Sequence, residues 1–446
     1  MSNGKVGRWQ NWSASVKSAP KEIVRPAGLE ELARLIGAYS REGRHVRVVG
    51  AGHSFTPLVY SDDVLISLDK MQGIESVDAE KDRVAVWGGT RLRKLGDDLL
   101  VKGLAQENLG DIDVQSIAGA ISTGTHGTGT RFGTISTQVV GLTLVTGNGE
   151  ILECSEEKNP EIFKAAQTSF GVLGIIAKVT LRVVPARRLH YRGHRERLSK
   201  VLANLERYKQ ENSHFEFFWF PNTDWVQAKF INETEEPVSK TSFLGTLNKI
   251  VLENWVYWVL SEMCRLVPSF STTASKISAA GVASIDEVNY SHRLFATPRM
   301  VRFQEMEYNL PAEHLPTVLQ QVREIIKKEG INVHFPVECR FVKGDDIWLS
   351  PAYQRDSAYI AIHMYKGMPY AEYFRQAEAV YQNYQGRPHW GKMHTQDYRT
   401  FAQLYPRWND FLRIRRRLDP QGVFLNDYLR AMLGVDVSEP VTDSQE

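Results

Sequence analysis

The sequence predicts an α+β fold in two domains, and three observations carry that expectation. The chain has 446 residues, enough for two separate cores. Residues 10–185 alternate between helix and strand patterns. From Ala186 the composition turns aromatic, with Phe215, Phe217, Phe218, Trp219, Phe220 and Trp225 clustered. Residues 10–185 are therefore expected as one domain and 186–412 as a second. Residues 413–437 are expected to return to the first domain, and 438–446 to form a disordered tail.

The elements follow in order. Pro26 opens a helix from Leu29 to about Arg41, with Leu32, Leu35, Ile36 and Tyr39 as its apolar face and Gly43 as its stop. Val46 to Val49 is a short apolar strand running into Gly50-Ala51-Gly52. Val64 to Leu68 and Arg83 to Trp87 read as further strands, the latter broken by Gly88-Gly89. Leu92 to Val101 reads as a helix. Val139 to Val145 and Glu150 to Cys154 flank Asn148-Gly149, a strong short hairpin signal. Pro160 to Thr168 is expected helical, and Gly174 to Val184 is an apolar strand closed by Pro185.

In the second region, apolar residues recur at roughly helical spacing over 244–267, among them Leu247, Ile250, Val251, Trp255, Trp258 and Leu266. A packed helix pair is expected there; the sharper alternative is a weak membrane-surface patch. Pro311 to Glu329 is expected as an amphipathic helix. Asn332 to Val342 alternates like a strand, with Glu338 and Arg340 on one face and Cys339 on the other. Tyr359 to Lys366 is another strand, placing Ala361, His363 and Tyr365 together. Helices are expected over Tyr370 to Asn383 and Trp408 to Leu418. The run Arg413 to Arg417 is read as a solvated or domain-facing helix side.

Composition excludes several function classes. The net charge of +2 shows no nucleic-acid footprint. The three cysteines, Cys154, Cys264 and Cys339, are far apart, which argues for a reducing, cytoplasmic setting and against a CxxC site. The opening MSNGKVGRWQNWS lacks an apolar secretory core, and no stretch of about 18 apolar residues is present. No His, Cys and carboxylate set has metal-ligand spacing, so no metal is expected.

Two glycine-bearing stretches carry the chemistry. In Val46-Arg-Val-Val-Gly-Ala-Gly-His-Ser-Phe55, Gly50 and Gly52 permit close approach of a ligand to backbone N–H groups, which suits a phosphate. Phe55 stands where a dinucleotide fingerprint needs its third glycine, which argues against a nicotinamide dehydrogenase. Ser116 to Thr130 is almost all small residues and hydroxyls, as a flat cofactor lying on backbone requires. A third stretch, His389-Trp-Gly-Lys392, follows late in the chain. On Glu338-Cys-Arg340, a carboxylate able to accept a hydroxyl hydrogen bond shares a strand face with a fixed cation that steadies developing negative charge.

These motifs together, in this order, resemble the vanillyl-alcohol-oxidase-type FAD-linked oxidases. HWGK resembles their aldonolactone oxidase branch, the L-gulonolactone and D-arabinono-1,4-lactone oxidases, which is close to the alditol oxidases. The resemblance implies a two-domain flavoprotein with an FAD-binding domain and a substrate cap. It implies that His53 carries the flavin covalently, and that Gly50, Ala51, Gly52 and Ser54 face the pyrophosphate. It places Ser116, Gly119, Thr123, Gly124 and Gly127 along the ring and ribityl chain, and Ile176 near the adenine. His126 reads as structural. Glu338, Arg340 and Lys392 take the catalytic roles, with Ser116, His363 and Tyr365 as further substrate contacts.

The implied reaction is oxidation of an aldono-1,4-lactone by hydride transfer to the flavin, with oxygen or an electron carrier as acceptor and peroxide as the product with oxygen. Met393-His394-Thr395 and the aromatic cap favour a lactone over the open polyol of an alditol oxidase. A non-catalytic flavin or sugar carrier is the remaining alternative, and Glu338, Arg340 and Lys392 argue against it.

Overall fold

The computed structural model describes residues 7–240, 243–296 and 301–435, with side chains placed except over 243–253. The expected tail at 438–446, and the side chains of Leu247, Ile250 and Val251, lie outside the described residues.

The first domain is built on two sheets. In a three-stranded parallel sheet, Val64–Ser67 lies between Glu22–Val24 and Val46–Val49. Parallel neighbours need a crossover, and the helix Leu29–Arg41 supplies it. Its Leu32, Ile36 and Tyr39 bury against Val46, Val64 and Ile66. A five-stranded antiparallel sheet runs in the order Ile151–Ser155, Val139–Val145, Ile175–Arg182, Arg83–Trp87, Ile74–Asp78. The Asn148-Gly149 hairpin forms as its sequence dictates, with Gly149 at φ +85° and Ile151 opposite Val145.

The second domain is one eight-stranded antiparallel sheet. Its order is Ile285–Tyr290, Arg188–Arg197, Trp225–Thr234, His214–Trp219, Val337–Val342, Ser357–Tyr365, Phe303–Pro311, Arg387–Pro388. The helices Leu315–Lys328 and Ala371–Asn383 cover one face, burying Val318, Leu319, Val322, Phe374 and Ala377. The aromatic cluster foreseen at 215–220 is largely one strand of this sheet. The other face carries charged side chains and looks toward the first domain.

Several elements differ from expectation for physical reasons. The strand expected from Asn332 begins only at Val337, because Pro336 has no N–H for the ladder. His334 leaves the sheet pattern and bonds Ser261 at 2.9 Å. Pro311 ends a strand, Phe303–Pro311, instead of starting a helix, which begins at Leu315. The small-residue stretch contains a short helix, Ile117–Ser122, with Ser116 as its N-cap accepting from the Gly119 N–H at 3.3 Å.

Residues 243–266 form one helix, which a turn at Pro268–Phe270 joins to Ser271–Ala280. Trp255, Trp258 and Leu266 on it are exposed. No helix among the described residues is long and apolar enough to cross a membrane. The expected return at 413 falls inside the helix Trp408–Leu418. Packing against the first core already involves Trp348, Leu349, Tyr353 and Trp390, followed by Phe401, Tyr405, Trp408 and Phe411.

Candidate active site

A groove runs across the first domain, and glycines form its walls. Its lining includes Gly50, Ala51, Gly52, His53, Ser54, Gly88, Gly89, Ser116, Gly119, Thr123, Gly174 and Ile176, around about 950 Å³ that includes its open mouth. The two glycine stretches meet here: a Cβ on Gly50 would stand 2.2 Å from Ser116 Oγ. A Cβ on Gly88 would stand 2.2 Å from the Ile176 carbonyl oxygen. Both strand ends must therefore come together as bare backbone, which leaves room for a broad, flat ligand.

The N–H groups of Ala51, Gly52, His53 and Ser54 donate to no protein acceptor among the described residues, so they are available to an anion. Gly52 sits at φ +69° in this turn. Under the turn, the buried Arg47 donates to the carbonyls of Leu58 and Phe170, each at 2.8 Å, and so ties three chain segments together. Its burial pushes its pKa down to about 10.

Gly124 and Gly127 are not among the groove-lining residues. Gly124, at φ +71°, turns the chain beside Pro351, and a Cβ on Gly127 would stand 2.3 Å from the Leu109 carbonyl oxygen. Both shape the loop from behind. Sequence reading missed Gly88-Gly89, taken only as a strand break, and Gly174, which lines the groove at φ +145°.

A second cavity of about 630 Å³, counted with its mouth, opens where the groove meets the second domain. His53 and Ser54 line both cavities, as do Gln115 and Thr123. The second is also lined by Trp12, Asp111, His126, Glu305, Glu307, Arg340, His389 and Lys392. The His53 ring stacks on Trp12, with centroids 5.4 Å apart. Burial, together with the charges of Lys392 and Arg91, pushes its pKa down to about 4, so the ring is neutral at pH 7.

The charged groups form one buried cluster. Arg340 pairs with Glu338 on its own strand face, with Glu216 at 2.7 Å and with Asp111 at 3.3 Å. Lys229 meets Glu216 at 2.9 Å. Lys392 meets Glu305 at 2.5 Å, and burial of its charge is outweighed by Glu305 and Glu307, which raise its pKa. Burial would raise the Glu305 carboxyl, but Lys392 and His363 bring it down to about 2.

His363 stands opposite Glu305 across the sheet, with Nε2 3.4 Å from Oε1. His363 and Glu338 reach the cavity through Glu305 and Arg340 and are not among its lining residues, and Tyr365 sits further off, packed on Phe335 with its hydroxyl donating to Glu262. His126 Nε2 lies 3.1 Å from Glu307 Oε1, and its ring stacks on Tyr359 at 3.6 Å. Ligand atoms of Glu305, Glu338 and His363 come within 4.8 Å of one another, a metal-like spacing that sequence did not foresee. Any metal there would compete with Lys392 and Arg340, which already face the two carboxylates.

Sequence reading therefore missed Asp111, Glu216, Lys229, Glu305 and Glu307. Glu305 and Glu307 had a usable signal. Over Phe303–Pro311, Met306, Tyr308 and Leu310 alternate with Glu305, Glu307 and Asn309.

Comparison with known proteins agrees with this geometry. Residues 20–155 match an FAD-binding domain family, and residues 179–432 match the D-arabinono-1,4-lactone oxidase family. The chain is 41% identical to an L-gulono-1,4-lactone dehydrogenase of Mycobacterium tuberculosis, over 96% of this chain and 99% of that protein. It is 34% identical to the L-gulonolactone oxidase of Bos taurus, over 95% of this chain and 97% of the relative. A D-arabinono-1,4-lactone oxidase of Eremothecium gossypii is 32% identical over 74% of this chain and 65% of its own length. In fold, the chain resembles the cholesterol oxidase of B. sterolicum, with a TM-score of 0.79 at 17% identity, covering 96% of each chain. A glycine groove with free N–H groups, opening onto a cavity of paired buried charges, thus coincides with two family matches: the chain belongs to the D-arabinono-1,4-lactone oxidase family and carries an FAD-binding domain.

Proposed function

We propose that the protein oxidises an aldono-1,4-lactone at the ring hydroxyl beside the carbonyl, using FAD, with oxygen as acceptor and hydrogen peroxide as product. The carrying observation is that one cavity, lined by Arg340 and Lys392, opens directly onto the glycine groove at His53. FAD, when bound, supplies the hydride acceptor that no side chain provides.

The chain's own residues do the rest. The turn Gly50–Ser54 would hold the pyrophosphate, Ser116, Gly119 and Thr123 would line the ring and ribityl chain, and Ile176 would meet the adenine. Arg340 and Lys392 present positive charge where negative charge develops, while Glu338 and His363 take hydroxyl hydrogen bonds. Steady-state assays should give a higher kcat/KM for L-gulono- or D-arabinono-1,4-lactone than for xylitol or sorbitol, with peroxide formed in air. Preference for the alditols would move the assignment to a terminal-alcohol oxidase and leave the flavin site standing.

His53 is the proposed covalent attachment point. It stands at the junction of groove and cavity, and its neutral ring keeps a lone pair for bond formation. Acid-precipitated protein should keep its yellow colour in the pellet, and His53→Ala should release it. Colour wholly in the supernatant of the unaltered protein rules the attachment out. The exposed Trp255, Trp258 and Leu266 support a weak surface association of this helix with membranes.

A further inference from the structure

Residues 11–16 form a strap on the turn Gly50–Ser54. The Trp12 N–H donates to the Gly52 carbonyl at 2.8 Å, and Asn11 Nδ2 donates to the Ser54 carbonyl at 2.9 Å. Ser15 Oγ donates to the Phe55 carbonyl at 3.1 Å. Asn11 is buried, and its Oδ1 accepts from the Val16 N–H at 3.0 Å, which closes the strap into a compact loop. The strap thus takes up carbonyls of the turn and leaves its N–H groups for a ligand.

Trp12 carries the strap into the site. Its indole stacks on the His53 ring, with centroids 5.4 Å and planes 21° apart. It also makes T-shaped contacts with Phe55 and with Phe303, centroids 6.3 Å and 5.2 Å away, and Phe303 begins a strand of the second domain. An indole packed between two elements in this way has little freedom to turn. Trp12 lines the second cavity and not the glycine groove.

His53 differs from the other histidines of the site in what orients it. His126 Nδ1 lies 2.8 Å from the Gly127 carbonyl oxygen, and His363 Nδ1 lies 3.0 Å from the Pro336 carbonyl oxygen. His389 Nδ1 accepts from the Gly391 N–H at 3.1 Å. Each of these rings is set by a backbone hydrogen bond. Among the described residues, no hydrogen bond reaches either ring nitrogen of His53, and its one ring contact is the face of Trp12.

Attachment of a flavin gives a reason for the difference. One bond forms, from a His53 ring nitrogen to the methyl carbon on the flavin's benzene ring. One C–H bond of that methyl group and the imidazole N–H break. The two protons and two electrons pass to the flavin, and dioxygen takes them up as hydrogen peroxide. Both ring nitrogens are used, one giving its lone pair and the other its proton. A hydrogen bond to either would compete with that step, whereas a contact on the ring face does not. Burial, with Lys392 and Arg91, pushes the His53 pKa down to about 4, so the lone pair is present at pH 7.

We propose that Trp12 is a positioning residue for flavin attachment: the strap holds its indole on the face of His53 and fixes the imidazole at the junction of groove and cavity with both nitrogens unoccupied. This rests on the reading of His53 as the attachment point. Without the indole, the imidazole turns about its side-chain torsions and spends less time in the reactive orientation.

Apoprotein mixed with FAD in air tests the role, with attached flavin read as in-gel fluorescence after denaturing electrophoresis. At saturating FAD, Trp12→Leu should attach flavin roughly tenfold more slowly than the unaltered protein, and Trp12→Phe, which restores an aromatic face, within about threefold of it. FAD affinity is measured in the His53→Ala background, where no attachment occurs. Adding Trp12→Leu there should change it by less than about threefold, because Trp12 acts through His53. Attachment by Trp12→Leu at the unaltered rate, or by Trp12→Phe as slowly as by Trp12→Leu, overturns the proposal. A larger loss of affinity in the His53→Ala background also overturns it, by making Trp12 a prop of the turn. A second readout uses the unaltered apoprotein: the His53 ring protons should resonate upfield of those of free imidazole, from the ring current of the indole, and unshifted protons overturn the stacking. Unaltered protein that never attaches flavin removes the His53 reading and the proposal together, whereas normal attachment by Trp12→Leu removes the proposal alone.

Discussion

Arg340→Ala is expected to lower the thermal midpoint by roughly 10 °C as well as abolish most activity. Removing one partner of a buried ion pair costs about 3–5 kcal/mol, and each kcal/mol shifts the midpoint of a domain this size by about 2–4 °C. Arg340 is an extreme case, since its guanidinium is shared by Glu338, Glu216 and Asp111. Alanine would remove the guanidinium from between three carboxylates, of which Glu216 keeps its pairing with Lys229. Arg340→Lys should recover part of the stability but little of the activity, because an ammonium cannot reach three acids in fork geometry. Differential scanning calorimetry on flavin-loaded protein checks this, and a midpoint within 2 °C of the unaltered protein would show that the cluster does not depend on Arg340.

Lys392→Ala is expected to leave the fold intact and to slow anaerobic flavin reduction about a hundredfold. One preorganised charge at the reacting centre is worth on the order of 3 kcal/mol in barrier. After loss of Lys392, Glu305 still has His363 Nε2 3.4 Å away. The defect should therefore appear in the reductive step measured by stopped flow, with a normal visible spectrum before substrate is added. A near-normal reduction rate in folded, flavin-loaded variant would remove Lys392 from the reacting centre.

Much of the site was legible in local sequence because backbone does its work there. Gly50, Gly52 and the Ser116–Gly119 turn were readable: only bare or small residues allow two strand ends to close on a flat ligand, and composition records that directly. Glu338 and Arg340 were readable as a pair from strand periodicity. Their burial was not, because nothing in Val337–Val342 says which face meets another domain.

The sequence by itself determined the α+β class, the helix Leu29–Arg41, the Asn148-Gly149 hairpin and the residues that make a glycine groove, all of which follow from interactions within a few residues. Only the tertiary structure decided which side chains share the cavity. Tyr365 follows His363 on the same strand face, yet packing on Phe335 takes it to another core. Asp111, Glu216 and the pair Glu305 and Glu307 come from three places in the chain, and it is the eight-stranded sheet laid against the groove that sets them around Arg340, Lys392, His126 and His363. Charge balance in a buried site is a property of that assembly: each acid is acceptable only because of a partner that lies far away in sequence.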